Sequence, residues 1–250
     1  MSTHKILFGI HPVAQAVTEQ ADQILGLYWD KDRGDTRIQN IIDAAKNQDI
    51  KISVVTKEKL ETMSDSKNHQ GIVARLAPAQ DYSENDVLQL IENTKQALIV
   101  ILDCVQDPHN LGACMRSALA LGATALVFPQ DRSCPVNATV SKVASGAAEK
   151  LPFVAVKNLA RFMQTLKEAG VWCIGMSVDT DTVLQEIDLT GSIALVMGSE
   201  GSGLRHLTEK NCDYLAKIPL IGPMESLNVS VATGISLYEV ARQRGCGVPK

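Results

Sequence analysis

The feature that most constrains the fold is a series of nearly uninterrupted apolar runs at residues 97–102, 123–128, 171–176 and 192–197. None keeps the strict alternation of a half-exposed strand, and all are short for a buried helix. Such runs fit strands covered on both faces of a parallel sheet. Residues 153–156 read as a further strand. Helical spacing fills the gaps at residues 111–121, stopped by Gly122, at residues 138–149, rich in small side chains, and at residues 159–169. This alternation predicts an α/β domain with a parallel sheet. One more apolar run, residues 214–220, is expected as a buried strand before Gly222 and Pro223 break it. From Asn228 the period changes. Val229, Val231, Ala232, Ile235, Leu237, Tyr238, Val240 and Ala241 fall on a helix that Ser226 or Asn228 can cap.

Residues 1–78 repeat the alternation on a smaller scale. Strands are expected at 24–29, 51–55 and 69–76, with helices after His11-Pro12, around 38–45 and at 57–63. Residues 79–96 start without periodicity and read as a linker running into a short helix. The second domain is then 97–250. Lys31, Arg33 and Arg37 cluster after the strand that ends at Trp29, either as a solvated helix start or as an RNA-facing edge.

Composition narrows the class. The apolar runs fall far short of the roughly 20 residues of a membrane span, and the first residues lack the apolar stretch of a signal peptide. A cytoplasmic protein with no membrane partner is expected. The six cysteines are scattered without a Cys-x-x-Cys pair, which argues against a zinc site and a disulfide framework and for reduced, structural thiols. A formal net charge of −4 offers no global positive field, so any RNA contact must be local.

Three polar loops follow buried strands, and in an open parallel sheet such loops gather at the carboxyl ends, where ligands sit. The first is Asp107-Pro108-His109-Asn110-Leu111-Gly112, with Asn110 a natural N-cap. Arg116 lies six residues further, just under two helical turns on. It is either a solvated arginine or one that awaits a phosphate or carboxylate. The second loop, Gly198-Ser199-Glu200-Gly201-Ser202-Gly203, has neither dinucleotide-fingerprint nor P-loop spacing. Its glycines suggest a close approach of backbone. The third carries Glu225, Ser226, Asn228 and Ser230 but no histidine, which disfavours a Ser-His-Asp hydrolase.

Taken together, these loops, with Ile218-Pro219 and Ser226-Leu227-Asn228-Val229-Ser230-Val231-Ala232, closely resemble the three motifs of the SpoU (TrmH-like) RNA 2′-O-ribose methyltransferases of the SPOUT superfamily. Phe8-Gly9-Ile10-His11-Pro12-Val13 and His69-Gln70-Gly71-Ile72 resemble the substrate-binding domain of the family's RlmB-like branch, whose members methylate a guanosine of bacterial 23S ribosomal RNA. The resemblance implies a C-terminal α/β domain with a trefoil knot and a small α/β L30e-like RNA-binding domain before it. It also implies a homodimer that binds S-adenosylmethionine, needs no metal and acts on 23S ribosomal RNA or the assembling large ribosomal subunit. By the same resemblance Gly198, Ile218 and Leu227 match cofactor-binding positions, while Asn110, Arg116, Glu200, Ser226 and Asn228 match catalytic ones.

Physically, a guanidinium is a poor base, so Arg116 is expected to clamp a phosphate beside the target ribose. Asn110 and Asn228 would orient the nucleotide or Arg116, and Glu200 would hold Arg116 or loop backbone. The competing expectations are methylation of a transfer RNA or another ribosomal ribose, and a non-catalytic RNA-binding assembly factor. A nicotinamide-dependent dehydrogenase is disfavoured by the glycine spacing.

Overall fold

The computed structural model describes residues 5–76 and 82–245, and the chain divides into two compact units, residues 1–79 and 80–250. The amino-terminal residues 1–4, the start of the linker at 79–81, and Cys246 lie outside the described residues.

The first unit runs β1 (Lys5–Phe8), α1 (Ile10–Glu19), β2 (Ile24–Trp29), α2 (Thr36–Lys46), β3 (Ile52–Val54), α3 (Lys57–Ser64) and β4 (Ile72–Leu76). Its mixed sheet has the order β1-β4-β2-β3, with only β2 and β3 parallel. Val13, Ala16 and Val17 of α1 and Ile38, Ile41, Ile42 and Ala45 of α2 bury against Leu27, Ile72 and Ala74. The strand β1 was not expected, being four residues long and too short to show a period. The strand expected at 69–76 starts only at Ile72, because Gln70 and Gly71 take positive φ of 54° and 82° and turn the chain. That turn has a use. Gln70 Oε1 accepts from Ile10 N at 2.8 Å and so caps α1, whose own N-cap, Gly9, has no side chain.

The second unit runs α4 (Glu84–Glu92), β5 (Leu98–Leu102), α5 (Pro108–Ala120), β6 (Ala125–Pro129), α6 (Ala138–Ala144), α7 (Ala147–Lys150), β7 (Phe153–Val156), α8 (Leu159–Glu168), β8 (Trp172–Met176), β9 (Ile193–Met197), α9 (His206–Lys210), β10 (Tyr214–Ala216) and α10 (Val229–Gln243). All its strand pairs are parallel, in the order β10-β8-β9-β5-β6-β7. Successive strand residues point to opposite faces, so each central strand feeds two cores. Leu98, Val100 and Leu102 join Leu126, Phe128, Leu195 and Met197 under α5 and α10. Ile99 and Ile101 join Val127, Val196 and the α8 residues Phe162 and Leu166 on the other side. At about 1.5–3 kcal/mol for each large aliphatic side chain buried, these strands explain why continuous apolar runs were required. In the same second core sit Val87 and Ile91 of α4, a helix started by a Ser83–Asp86 capping box.

Three local expectations need correction. The run 214–220 is a strand only over Tyr214–Ala216, with Tyr214 and Leu220 exposed. It lies at the sheet edge, and Pro219 brings no N–H to extend a ladder. The helix expected over 138–149 breaks in two, because Ser145 and Gly146 both take left-handed backbone, φ 49° and 85°. Finally, α5 begins earlier than expected. Asp107 is its N-cap, accepting from His109 N, and Pro108 fills the first turn; Asn110 is therefore inside the helix and free of capping duty.

Candidate active site

The chain builds β5, β6 and β7 in one direction and then returns to lay β9 on the other side of β5. The carboxyl ends of β5 and β9 therefore flank the point where strand order reverses, the usual ligand crevice of such sheets. A cavity of about 420 Å³ opens there, lined by Cys104 and Asp107 after β5, Asn110 of α5, Arg132 after β6, and Glu200 and Arg205 after β9, among others.

One side chain ties the three loops together. Asn228 caps α10, its Oδ1 accepting from Ser230 N at 2.9 Å and Ser230 Oγ at 2.6 Å. Its Nδ2 donates to Asn110 Oδ1 at 2.9 Å and to the Glu200 carboxylate. The Asn228 carboxamide is thus spent on the protein. Asn110, nearly buried, keeps its amide nitrogen without a hydrogen-bond partner among the described residues, on the wall of the cavity. Packing of α10 on α5 sets this geometry, with Cys114 Sγ 3.5 Å from Thr233 Oγ1 at their interface.

Gly198 behaves differently from its expected reason. A Cβ there would overlap the Gly203 carbonyl and Leu204 N, because Ser199 and Gly203 exchange backbone hydrogen bonds of 3.0 and 3.1 Å across the loop. The loop's own closure demands glycine here. Downstream, Ile218 and Leu227 are half-buried and Ser226 is exposed. Residues 218–227 make no hydrogen bond with any described residue, so their backbone donors and acceptors are available to a ligand.

Arg116 is not part of the cluster. It is exposed on α5, and its Nη1 donates to Ser145 Oγ at 3.5 Å. Glu200 is taken by Asn228 and does not hold Arg116.

Sequence reasoning missed a buried ion pair beside the cavity. Asp103, fully buried at the end of β5, accepts from Arg205 Nε at 2.7 Å and Arg205 N at 3.0 Å. The signal was present: Asp103 is the first charged residue after the run 97–102. Cys104 and Arg132, both lining the cavity, hold left-handed φ of 63° and 61°, costing about 1–2 kcal/mol each. Strain of this kind gathers at functional sites. Three of the thiols are poorly suited to act as nucleophiles. Burial pushes Cys114 up to about 11 and Cys173 and Cys212 up to about 12, so they stay protonated.

Comparison with known proteins gives the class. Residues 97–238 match the model of the SpoU rRNA Methylase family, and residues 6–82 match a domain described as RNA 2′-O ribose methyltransferase substrate binding. The chain belongs to the SpoU rRNA methylase family. It is 48% identical over 250 residues, all of both chains, to the 23S rRNA (guanosine-2′-O-)-methyltransferase RlmB of Coxiella burnetii. To the protein of that name from Escherichia coli strain K12 it is 46% identical over 241 residues, 96% of this chain and 99% of that one. Its fold is similar to that of the SpoU methyltransferase AviRb from Streptomyces viridochromogenes in complex with the cofactor AdoMet. The TM-score is 0.70 at 24% identity, over 98% of this chain and 92% of that one.

Proposed function

We propose that this protein transfers a methyl group from S-adenosylmethionine to the ribose 2′-hydroxyl of a guanosine in bacterial 23S ribosomal RNA, free or in the assembling large subunit. The names and full-length identity of its RlmB relatives support the substrate. The observation that carries the chemistry is the convergence of Asn110, Glu200 and Asn228 at the sheet crevice, close in sequence to a segment of unbonded backbone.

That segment fits the cofactor. A nucleoside held through adenine needs backbone donors and acceptors between apolar walls, which Ile218 and Leu227 supply, with Gly198 shaping the loop beside them. When bound, S-adenosylmethionine supplies the methyl group from its positively charged sulfonium. The chain must orient the ribose and help its hydroxyl lose a proton. Asn110 offers its free amide nitrogen to the nucleotide. Asn228 fixes Asn110 and Glu200 relative to α10, and Ser226, exposed beside them, faces incoming RNA. Arg116 clamps the phosphate next to the target ribose, whose oxygens then help accept the hydroxyl proton.

In this reading residues 97–250 are the catalytic domain, with its C-terminal part tied into the trefoil knot of the SPOUT superfamily. Residues 1–78 form an L30e-like RNA-binding domain; of the stretch 79–96 expected as a linker, α4 packs into the core of the second unit. The protein acts in the cytoplasm as a homodimer. Val231, Ile235 and Tyr238, spaced for one side of α10 and all exposed, support a second copy as their cover.

The test is methyl transfer from radiolabelled S-adenosylmethionine to unmodified 23S ribosomal RNA, with mass spectrometry of the nucleosides. The expected product is 2′-O-methylguanosine. Transfer to transfer RNA instead, or none to either RNA, rejects the reading.

A further inference from the structure

Holding RNA at the crevice requires positive charge, and neither Asn110, Asn228 nor Glu200 provides it. The same cavity is lined by two arginines, Arg132 and Arg205. Arg205 is aimed by the buried Asp103: Nε donates to Oδ1 at 2.7 Å, Nη2 reaches the same oxygen at 2.6 Å, and the backbone N–H donates to Oδ2 at 3.0 Å. One edge of the guanidinium is thereby fixed, while Nη1 has no partner among the described residues. Arg132 is exposed on the loop after β6 and makes no hydrogen bond or ion pair with any described residue. The cavity's two carboxylates each accept one bond from a neutral donor, Glu200 Oε1 from Asn228 Nδ2 and Asp107 Oδ1 from His109 N as the α5 cap. They keep their negative charge, so an anion held at this cavity must draw on both guanidinium groups.

We propose that Arg205 and Arg132 form a phosphate-binding site that grips the RNA backbone beside the ribose being methylated, with Asp103 as the positioning residue that aims Arg205. The proposal rests on the methyltransferase reading above. Two guanidinium groups carried on separate loops suit the oxygens of a phosphodiester, which positions RNA without reading its sequence. The donor's carboxylate is the competing anion. It is disfavoured because the cavity wall includes Asn110 and Glu200 but no residue of the unbonded segment 218–227.

The test compares full-length wild type with R132A, R205K and D103N in steady-state methyl transfer to 23S ribosomal RNA between 50 and 200 mM salt (roughly the range over which phosphate contacts weaken). Calorimetric titration with S-adenosylmethionine runs beside it. The expected result is an RNA KM raised about tenfold in R132A and R205K, with kcat within about threefold and donor affinity unchanged. The slope of log KM against log salt should fall by about 0.7 in R132A, which removes a charge, and stay near the wild-type value in R205K, which keeps it. A merely structural role would not move that slope. Unchanged KM and slope in both arginine variants overturn the proposal. Weakened donor binding with unchanged RNA KM also overturns it, assigning the arginines to the donor's carboxylate. If D103N does not fold, R132A on its exposed loop decides alone. Should wild type transfer no methyl group, the function reading fails instead, and RNA retention on filters with the same variants and salt series still decides the phosphate site.

Discussion

Two regions served by the same helices, α5 and α10, differ in how complete they are in one chain. At the crevice, Asn110 from α5 and the α10 cap Asn228 meet Glu200, and Asn228 Nδ2 donates to both of the others. Along the outward sides of the same helices, Arg116 has a single long bond to Ser145, and Val231, Ile235 and Tyr238 lie exposed. The difference teaches where folding stops. Burial and capping energy can assemble groups that satisfy each other. It does not hold in place an exposed cation such as Arg116 or an exposed apolar row such as Val231, Ile235 and Tyr238.

The comparison breaks most sharply at Arg116. Arg116→Ala should lower methyl transfer by about a hundredfold or more, as loss of a substrate-orienting clamp does. It should leave thermal unfolding within about 0.5 kcal/mol of wild type, since the side chain is exposed. Arg116→Lys keeps the charge without the planar fork and should recover little of the rate. Near-normal turnover in the lysine variant would sink the clamp.

Gly198→Ala attacks the completed region instead. With the Gly203 backbone in the way, the loop must shift, and we expect a loss of about 1–3 kcal/mol in denaturant unfolding together with loss of activity. If stability holds while donor binding alone falls, the glycine is there for the ligand after all. Asn228→Ala is milder, removing a helix cap for about 1 kcal/mol. Its distinctive sign is a fall in kcat, because Asn110 and Glu200 lose their common donor. Asn228→Asp keeps the cap acceptor but removes the Nδ2 donor. Repulsion between the new carboxylate and Glu200 should offset the kept cap, so it should restore little of either the stability or the rate at neutral pH.

How much of this was legible in the sequence follows from the same physics. The strands at 97–102, 123–128 and 192–197 were plain, because only two-sided burial demands so continuous an apolar run. The three loops were plain too, as polar breaks after those runs. The edge strand at Tyr214–Ala216 looked the same as a central one, since apolar content does not report a neighbour on each side. The break at Ser145-Gly146 did have a mark, since Ser-Gly is a turn signal, but the small, helix-compatible residues on either side masked it. Asp103 and Arg205, 102 residues apart, illustrate the general limit: each residue is visible alone, but their pairing is set by which strand lies next to which.

The smallest effect concerns a buried group elsewhere, one ring nitrogen of which is bonded while the other, Nε2, is buried without a partner among the described residues. His69, buried in the first unit, accepts from Gly71 N through Nδ1 at 3.0 Å, which requires the neutral ring. Burial holds its pKa below the ordinary value of 6.5. The unfolded chain therefore takes up a proton near pH 6.5 that the folded chain refuses until the pH is lower. Stability is present above that value and is lost as pH falls from about 6.5 toward the depressed folded value, at no more than about 1.4 kcal/mol per pH unit. Urea unfolding of a W172F variant, followed by the remaining Trp29 fluorescence between pH 5 and 8, reads the first unit. Its midpoint should be flat above about pH 7.5 and decline below about 6.5, and H69Q should flatten the decline. A midpoint that does not move with pH would mean that His69 is as uncommitted as Arg116, and that burial alone does not mark a finished region.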